Sequence, residues 1–249
     1  MTGEARALAL RAIPLIDLTD LSDACRPDHV DALARRALAL AVRPAALCIW
    51  PQFVSGAHAL LAGSDIALAT VVNFPHGADD IERVVEDMQQ AIADGADEID
   101  VVLPWRSFLA GRRDEARRMV EALAECLPAD THLKVILETG ELREPSLIAA
   151  ASRLAIEAGA HFIKTSTGKT AVSATPEAAR LMLGCIRESG RPVGFKASGG
   201  LRTAADAALY LSIADEIMGA DWATPRTFRF GASSLLDPLV AALGGDPEA

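Results

Sequence analysis

The sequence predicts a (β/α)8 barrel, and three observations support this fold class. Eight short apolar runs rich in β-branched residues alternate with eight longer segments of helical period. The runs are continuously apolar, as expected for parallel strands covered by helices, and eight such units suit a chain of about 250 residues. An open doubly wound sheet is the competing architecture, but its first strand is often followed by a glycine-rich turn. The turn here, Asp20-Leu21-Ser22-Asp23, contains no glycine.

The predicted strands are short and evenly spaced along the chain. In order they are Leu15 to Thr19, Ala46 to Trp50, Ile66 to Asn73, Glu98 to Leu103, His132 to Glu138, Phe162 to Thr167, Pro192 to Ser198 and Phe228 to Ala232. The predicted helices between and after them are Asp28 to Ala41, Gln52 to Ala62, Asp79 to Asp94, Ser107 to Cys126, Pro145 to Ala158, Thr175 to Ser189, Thr203 to Ile213 and Ser233 to Leu243. The repeating unit is therefore a strand followed by a helix.

Cap signals support these helices, as at Thr175-Pro176, where an N-cap residue precedes a proline in the first turn. The first dozen residues are rich in alanine and predict a further short helix that closes the bottom of the barrel. No linker or change of composition divides the chain. Residues 1–249 are therefore expected to form a single barrel domain.

Composition excludes several classes of partner. The 249 residues carry 24 Lys and Arg against 34 Asp and Glu, a formal net charge of -10, and no basic run exceeds two residues. Nucleic acid is therefore not an expected partner, because binding to its backbone needs a basic surface. No apolar run approaches the roughly 20 residues of a membrane helix, and the N-terminus lacks a secretory pattern. We expect a cytoplasmic protein that does not bind membranes.

The use of lysine is unusual. Only four of the 24 basic residues are Lys, at positions 134, 164, 169 and 196, and the rest are Arg. A Lys amine can lose its proton and attack a carbonyl, whereas Arg stays charged. Chance is the simpler explanation for each lysine alone. All four, however, lie in or beside predicted strands 5, 6 and 7, and a barrel carries its active site at the C-terminal ends of its strands.

The same criterion selects the other polar candidates for function. They are the polar residues at or just beyond the strand ends: Asp17, Thr19, Cys48, Asn73, His76, Asp100, Glu138, Ser166, Thr167, Ser198, Ser233 and Ser234.

Lys164 lies within the apolar run 162–165, where a charged amine is unfavourable unless it is paired. Strands 6 and 7 are neighbours, so Lys196 can approach Lys164 and lower its affinity for a proton. This arrangement favours a nucleophilic amine that forms a Schiff base with a carbonyl substrate. The alternative is a structural ion pair with a strand carboxylate, for which Asp100 and Asp17 are available.

Two glycine-containing loops predict an anion site. Barrels often bind phosphate at the loops after strands 7 and 8, through backbone N–H groups and a helix N-terminus. The chain has Ser198-Gly199-Gly200 in the first loop and Gly231-Ala232-Ser233-Ser234 in the second. The segment 166–170 resembles the end of a Walker A loop, but Ile163 stands where that motif requires glycine.

The sequence predicts no metal site and no cofactor. The four cysteines are widely spaced without a CxxC motif, which also argues against disulfides. Among the five histidines only His76 falls at the working end of the barrel, and there is no HxH or HExxH pattern. For His76 a role in capping its loop is at least as consistent with the sequence as catalysis.

Eight segments together resemble the deoxyribose-phosphate aldolases of the class I, Schiff-base type. They extend over most of the chain: 15–19 (LIDLT), 47–51 (LCIWP), 72–77 (VNFPHG), 95–102 (GADEIDVV), 134–140 (KVILETG), 162–169 (FIKTSTGK), 194–200 (GFKASGG) and 230–234 (FGASS). The resemblance implies reversible cleavage of 2-deoxy-D-ribose 5-phosphate to acetaldehyde and D-glyceraldehyde 3-phosphate, without metal or organic cofactor. It also implies a small sugar phosphate as partner, and we expect a homodimer or a homotetramer.

The resemblance also implies roles for individual residues. Lys164 is the expected Schiff-base lysine, Lys196 its activating partner and Asp100 the carboxylate that works with a bound water in proton transfer. Asp17 is expected to bind a substrate hydroxyl, with Thr19 and Thr167 among the substrate-binding residues, and Cys48 to line the pocket near the carbonyl carbon. The residues expected to hold the phosphate are Lys169, Gly199, Gly200, Ser233 and Ser234.

The sequence departs from the family at its C-terminal tail. Some members end in a mobile tail whose terminal Tyr assists proton transfer, but residues 244–249 here read GGDPEA and the only Tyr is Tyr210. Two alternative functions stay open at the level of sequence. One is a transaldolase-like Schiff-base aldolase, and the other is a sugar-phosphate-binding barrel without catalysis.

Overall fold

Eight parallel strands close into a barrel, in which each strand pairs with the next along the chain and the last pairs with the first. The computed structural model describes residues 3–244. Its strands are β1 Ile16–Asp20, β2 Ala46–Ile49, β3 Ala67–Val72, β4 Glu98–Val102, β5 His132–Ile136, β6 Phe162–Lys164, β7 Gly194–Ser198 and β8 Phe228–Ala232. The predicted (β/α)8 fold is confirmed.

Helices cover the outside of the barrel between successive strands. They are α1 Gly3–Ala12, α2 Pro27–Ala39, α3 Val54–Leu61, α4 Ile81–Ala93, α5 Trp105–Leu109, α6 Arg113–Cys126, α7 Thr139–Leu142, α8 Pro145–Glu157, α9 Pro176–Ser189, α10 Ala204–Met218 and α11 Leu236–Ala242. The predicted N-terminal helix is α1, which packs against α10 and α11. No helix within residues 3–244 has both the length and the apolar character needed to cross a membrane.

Most helix bounds differ from the predicted ones by one or two residues, and the helix predicted to end at Ile213 continues to Met218. Two further differences are larger. The segment 107–126 divides into α5 and α6 around Gly111, whose φ of 85° lies in the left-handed region that glycine adopts readily. The last helix, predicted to begin at Ser233, begins at Leu236. Ser233 and Ser234 therefore stay in the loop after β8, with their side chains exposed.

Strand β6 is shorter than its apolar sequence predicts, because it ends at Lys164 and not at Thr167. Thr165 keeps backbone hydrogen bonds with Lys196 and Thr139, and after it the backbone of Thr167 turns to a side-chain partner. The N–H of Thr167 donates to the carboxylate of Glu138 at 3.3 Å, and the hydroxyl of Thr165 donates to the carbonyl of Ser198 at 3.2 Å. Residues 165–167 therefore form a buried loop at the C-terminal end of the strand.

Strand register places charged residues beside one another inside the barrel. Asp100 of β4 is opposite Lys134 of β5, Lys164 of β6 is opposite Lys196 of β7, and Lys196 is opposite Arg229 of β8. Side chains alternate between the two faces of a strand, so residues at paired positions share a face. The intervening residues of these strands are apolar and pack in the core between the sheet and the helices. The barrel interior therefore carries a cluster of charges.

Candidate active site

Seven ionisable side chains from six strands form one buried network in the centre of the barrel. None of the seven is more than 6% exposed. They are Asp17 of β1, Glu98 and Asp100 of β4, Lys134 of β5, Lys164 of β6, Lys196 of β7 and Arg229 of β8. We call this set the buried network.

Asp100 is the carboxylate that the three lysines share. Its Oδ2 accepts from Lys164 Nζ at 2.8 Å and from Lys196 Nζ at 2.7 Å, and its Oδ1 accepts from Lys134 Nζ at 2.9 Å. Lys164 and Lys196 are therefore held at a single oxygen atom. The three candidate catalytic residues of the sequence analysis, Lys164, Lys196 and Asp100, are brought together by these contacts.

The other two carboxylates lie among the remaining cations. Lys196 Nζ also donates to Asp17, and Arg229 donates to the second oxygen of Asp17. Arg229 forms a forked pair with Glu98, with N–O distances of 2.7 and 3.1 Å, and Lys134 lies 2.7 Å from Glu98. Both oxygens of Asp17 are therefore engaged within the buried network.

The lysines differ in how many carboxylates they contact. Within 4.0 Å, Lys134 reaches Asp17, Glu98 and Asp100, and Lys196 reaches Asp17 and Asp100. The ion pair described for Lys164 is with Asp100 alone. Lys164 is thus the least compensated amine of the three.

These contacts shift the pKa values of the lysines in opposite directions. Burial lowers the pKa of Lys164, the carboxylate of Asp100 opposes this, and the nearby charge of Lys196 lowers the pKa further, so that the net shift is downward. Burial also disfavours the charge on Lys134 and Lys196, but there the carboxylates outweigh it and raise both pKa values. Lys164 is therefore the amine that gives up its proton most readily.

The carboxylates of the network stay ionised. Burial alone would raise the pKa of Asp100, but Lys134, Lys164 and Lys196 together hold it well below its usual range. The pKa of Asp17 is lowered in the same way, against burial, by Lys196 and Arg229. Three negative charges consequently face four basic groups in a space closed to water.

Cys48 is fully buried beside the network. Burial is the main reason that the pKa of its thiol is raised, and Lys196, Asp100 and Lys164 are the nearest charged groups that act on it. A thiol in this state is neutral and behaves as a small apolar group. Cys48 therefore supplies an uncharged wall near the Lys164 amine.

A cavity of about 300 Å³ opens at the C-terminal ends of β1, β6, β7 and β8. Seven of the predicted substrate-binding residues line it: Thr19, Thr167, Lys169, Gly199, Gly200, Ser233 and Ser234. The other predicted site residues, Asp17, Cys48, Asp100, Lys164 and Lys196, are buried and are not part of its lining.

Gly231 joins the cavity to the network beneath it. It lines the cavity, and a Cβ atom at this position would stand 2.9 Å from Cε of Lys196 and 2.8 Å from Oγ of Ser198. Only a residue without a side chain allows the Lys196 stem to pass so close to β8. The cavity floor and the lysine cluster are therefore in direct contact.

The glycine loop after β7 has the backbone geometry of an anion cradle. Gly199 and Gly200 have φ values of 85° and 83°, and successive residues in this region turn their N–H groups toward one side. A Cβ on Gly199 would also collide with the side chain of Ser173 at 2.6 Å. The predicted loops after β7 and β8 meet in one cavity, as the anion hypothesis requires.

Lys169 supplies a cation at the rim of the cavity. Its Nζ lies 3.1 Å from the exposed carboxylate of Asp23 and 5.9 Å from the centre of the Trp50 ring. A surface ion pair of this kind is weak, so an anion in the cavity can compete with Asp23 for the ammonium group.

The sequence analysis named Glu138 as a candidate at the end of strand 5 but missed Arg202 at this cavity. Arg202 lines it directly after the Gly199-Gly200 turn, and that position next to the glycines was the available signal. Glu138 stands at the end of β5 with a φ of 56°, and its carboxylate accepts from the backbone and hydroxyl of Thr167 and from the hydroxyl of Thr170. Burial raises the pKa of Glu138. The hydrogen bonds of Glu138 fix the loop that carries Thr167 and Lys169.

His76 does not contribute to the described site. His76 is exposed, outside the cavity lining, in a loop organised by Asn73, whose side-chain oxygen accepts from Ala78 N at 2.8 Å. In residues 3–244, no group of three or more His, Cys, Asp or Glu side chains has the arrangement of a metal site. The tail discussed in the sequence analysis falls, from position 245 onward, outside the described residues.

Comparison with known proteins identifies similar sequences and structures. The model of the DeoC/LacD family of aldolases matches residues 11–239. A candidate deoxyribose-phosphate aldolase from Toxoplasma gondii is 27% identical, with a TM-score of 0.89 and 98% of each chain covered. Another from Coccidioides immitis is 29% identical, with a TM-score of 0.80, covering 92% of this chain and 85% of that one. The tetrameric deoxyribose phosphate aldolase of Aeropyrum pernix is 25% identical, with a TM-score of 0.76 and coverage of 98% and 92%.

The contact at Gly231 predicts the effect of adding one methyl group. Gly231→Ala should lower the free energy of unfolding by about 1–3 kcal/mol, because the new Cβ overlaps the Lys196 stem and Ser198. Gly184→Ala is the matched control, since Gly184 lies within α9 and a Cβ there meets nothing within 4 Å. That control should gain about 0.5–1 kcal/mol from helix propensity. Urea unfolding of both variants measures the difference, and equal effects would contradict the close approach at Gly231.

Proposed function

Because the chain belongs to the DeoC/LacD family of aldolases, we propose that it cleaves 2-deoxy-D-ribose 5-phosphate reversibly to acetaldehyde and D-glyceraldehyde 3-phosphate through an imine on Lys164. The observation that carries this proposal is the state of Lys164. It is a buried amine with a lowered pKa and a single carboxylate partner, beside two lysines that keep their protons. An amine with a lowered pKa loses its proton at lower pH than an ordinary lysine, and in its neutral form it is a nucleophile toward an aldehyde.

The chemistry follows from an amine that meets an open-chain sugar aldehyde. Nζ of Lys164 attacks carbon 1, and loss of water leaves a protonated imine. The hydroxyl on carbon 3 then gives up its proton to the water expected beside Asp100, the bond between carbons 2 and 3 breaks, and its electrons move into the imine to form an enamine. Glyceraldehyde 3-phosphate leaves. Protonation of the enamine at carbon 2 and hydrolysis release acetaldehyde and return the free amine.

Asp100 and Lys196 have complementary roles in these steps. The protonated imine forms at the nitrogen 2.8 Å from Asp100, so the ionised carboxylate stabilises its positive charge without changing its own protonation state. Lys196 reaches the same oxygen and keeps Lys164 free of its proton before the attack. The bound water expected beside Asp100 stays a prediction.

The roles proposed for Asp17 and Thr19 are distinct. Asp17 is fully buried with both oxygens engaged, so its contribution is to hold Lys196 charged and in place, and not to bind a substrate hydroxyl directly. Thr19 lines the cavity, and its hydroxyl lies at the end of the strand that carries Asp17. Thr19 is the group of β1 placed to meet a substrate hydroxyl, while Cys48 excludes water near the carbonyl carbon.

The phosphate is proposed to bind at the far end of the cavity, away from Lys164. The supporting features are the left-handed Gly199-Gly200 turn, the two serines before α11, and the cations Lys169 and Arg202. Backbone N–H groups and cations are the groups that bind phosphate dianions. A homodimer or homotetramer is proposed for the assembly, in line with the tetrameric relative.

Lys164→Arg should reduce cleavage of deoxyribose 5-phosphate to the limit of detection while the barrel stays folded. Arg keeps a positive charge next to Asp100 but cannot form an imine. Borohydride reduction in the presence of acetaldehyde should add an ethyl group to Lys164 in the unaltered protein and to no lysine in the variant. Peptide mass mapping reads this out, with Lys169→Arg as the control that keeps the label. A label on another lysine would contradict the assignment.

Lys169→Met should raise KM for deoxyribose 5-phosphate about tenfold or more, because one cation to phosphate contact is lost. The rate with unphosphorylated deoxyribose should stay within about twofold of the unaltered protein, since the reaction at Lys164 is untouched. Steady-state kinetics with the two sugars provide the measurement, and Lys169→Arg should retain most of the affinity. An equal loss with both sugars would show that Lys169 does not act on the phosphate.

A further inference from the structure

Arg229 is a member of the buried network to which neither the sequence resemblance nor the proposed reaction gives a role. It enters the barrel from β8, and its side chain is 6% exposed. Its Nη atoms donate to Asp17 and Glu98, and its Nε donates to the carbonyl of Pro225. None of these described contacts involves Lys164.

The importance of Arg229 follows from the count of charges. The network holds three carboxylates and four basic groups, all at least nine-tenths buried. Charges removed from water are tolerated only where they are compensated, so three positive charges match the three carboxylates and a fourth is unfavourable. Arg cannot lose its proton, so the neutral group must be a lysine.

Contacts decide which lysine is neutral. Lys134 and Lys196 each have two or three carboxylates within 4.0 Å, whereas Lys164 has Asp100 alone and shares it with both. The lowered pKa of Lys164 and the raised pKa values of Lys134 and Lys196 agree with this count.

We infer that Arg229 is a positioning residue for the nucleophile. Its permanent positive charge, bound between Asp17 and Glu98, compensates negative charge that would otherwise keep Lys164 protonated. Without Arg229 the network has three carboxylates and three lysines, and all three lysines can be ammonium ions. With it, one lysine must be neutral. This inference rests on the proposed function of Lys164.

In residues 3–244, the ion pairs described for Asp17, Glu98 and Asp100 are with Lys134, Lys164, Lys196 and Arg229, so no other described cation replaces Arg229 in the count. The thiol of Cys48 is neutral, the carboxylate of Glu138 is engaged by Thr167 with a raised pKa, and burial lowers the pKa of the His132 imidazole near Glu98. Among the described residues, the titratable groups near Lys164 or Arg229 are the remaining network members together with these three: Asp17, Glu98, Asp100, Lys134, Lys196, Cys48, Glu138 and His132.

The test is the pH dependence of kcat/KM, which reports the ionisation of the free enzyme. As pH increases, kcat/KM rises, and in Arg229→Gln the midpoint of that rise should move to higher pH by about one unit or more. At a fixed pH below the midpoint, this shift corresponds to about a tenfold decrease in the fraction of Lys164 that is neutral. Arg229→Lys keeps the charge and should leave the midpoint in place even if the protein becomes less stable. Arg180→Gln removes a surface arginine paired with Glu216 and should leave the profile unchanged.

Glu98 provides the opposite change. Glu98→Gln removes a carboxylate, so the midpoint of the rise in kcat/KM should move to lower pH. The double variant Glu98→Gln/Arg229→Gln has two carboxylates and three lysines, which again leaves one lysine neutral, and its midpoint should return close to that of the unaltered enzyme. The downward shift in Glu98→Gln keeps the inference testable if Arg229→Gln does not fold.

Two results would overturn the inference: an unmoved midpoint in folded Arg229→Gln, or midpoints that move the same way in both single variants. These outcomes are separable from failure of the proposed function. If borohydride with acetaldehyde labels Lys164 in the unaltered enzyme while the midpoints do not follow the charge count, only the role of Arg229 is wrong. If Lys164 takes no label, the proposed function itself fails.

Discussion

The carboxylate of Asp100 is the contact on which the site depends. Its two oxygens receive the side-chain nitrogens of three lysines from three consecutive strands, β5, β6 and β7. Such a cluster is unfavourable unless each charge is compensated, because burial removes the water that would otherwise solvate it. The remaining members of the network are Asp17, Glu98 and Arg229. With them the network has one more basic group than carboxylates, and Lys164 is the basic group left without a matching negative charge. The neutral state proposed for Lys164 is thus a consequence of charge stoichiometry in a closed space.

A closed barrel suits this arrangement for two reasons. Parallel register brings Lys164 beside Lys196 and Asp100 beside Lys134, so residues far apart in the chain meet at fixed distances. The barrel also excludes water below the cavity, where Asp17, Asp100 and Lys196 are fully buried. Electrostatic interactions are stronger in such surroundings than at a surface. The cavity above, lined by loop residues, is the region proposed to bind the substrate.

The sequence was sufficient to predict the fold, and it named many of the residues that the structure brings together in the candidate site, because both leave local signals. Lys164 stands out as a lysine inside an apolar run, and the glycines of 198–200 stand out as a turn after a strand. The loop after β6 was mistaken for strand because its residues are buried, although the backbone of Thr167 bonds to Glu138 and not to a neighbouring strand. A buried loop and a paired strand can have the same amino-acid composition, so the sequence alone could not distinguish one from the other.

Arg229 was missed for a related reason. Arginine is the common cation of this chain, so one more arginine carries no signal. Its position in β8 becomes informative only when the register places it next to Lys196 and its guanidinium between Asp17 and Glu98. Counts of charge in a buried space depend on which side chains share that space, and this is a property of the fold and not of any one motif.

The most direct measurement of the central claim is the pKa of each lysine amine by NMR, with lysine labelled with carbon-13 at the ε position. The protein contains only four lysines, so the spectrum is simple, and the signal lost in Lys164→Arg identifies Lys164. We predict that Lys164 titrates well below the ordinary lysine value of about 10.4, while Lys134 and Lys196 stay protonated to at least that pH. A Lys164 signal that remains that of an ammonium group up to about pH 10 would contradict the account.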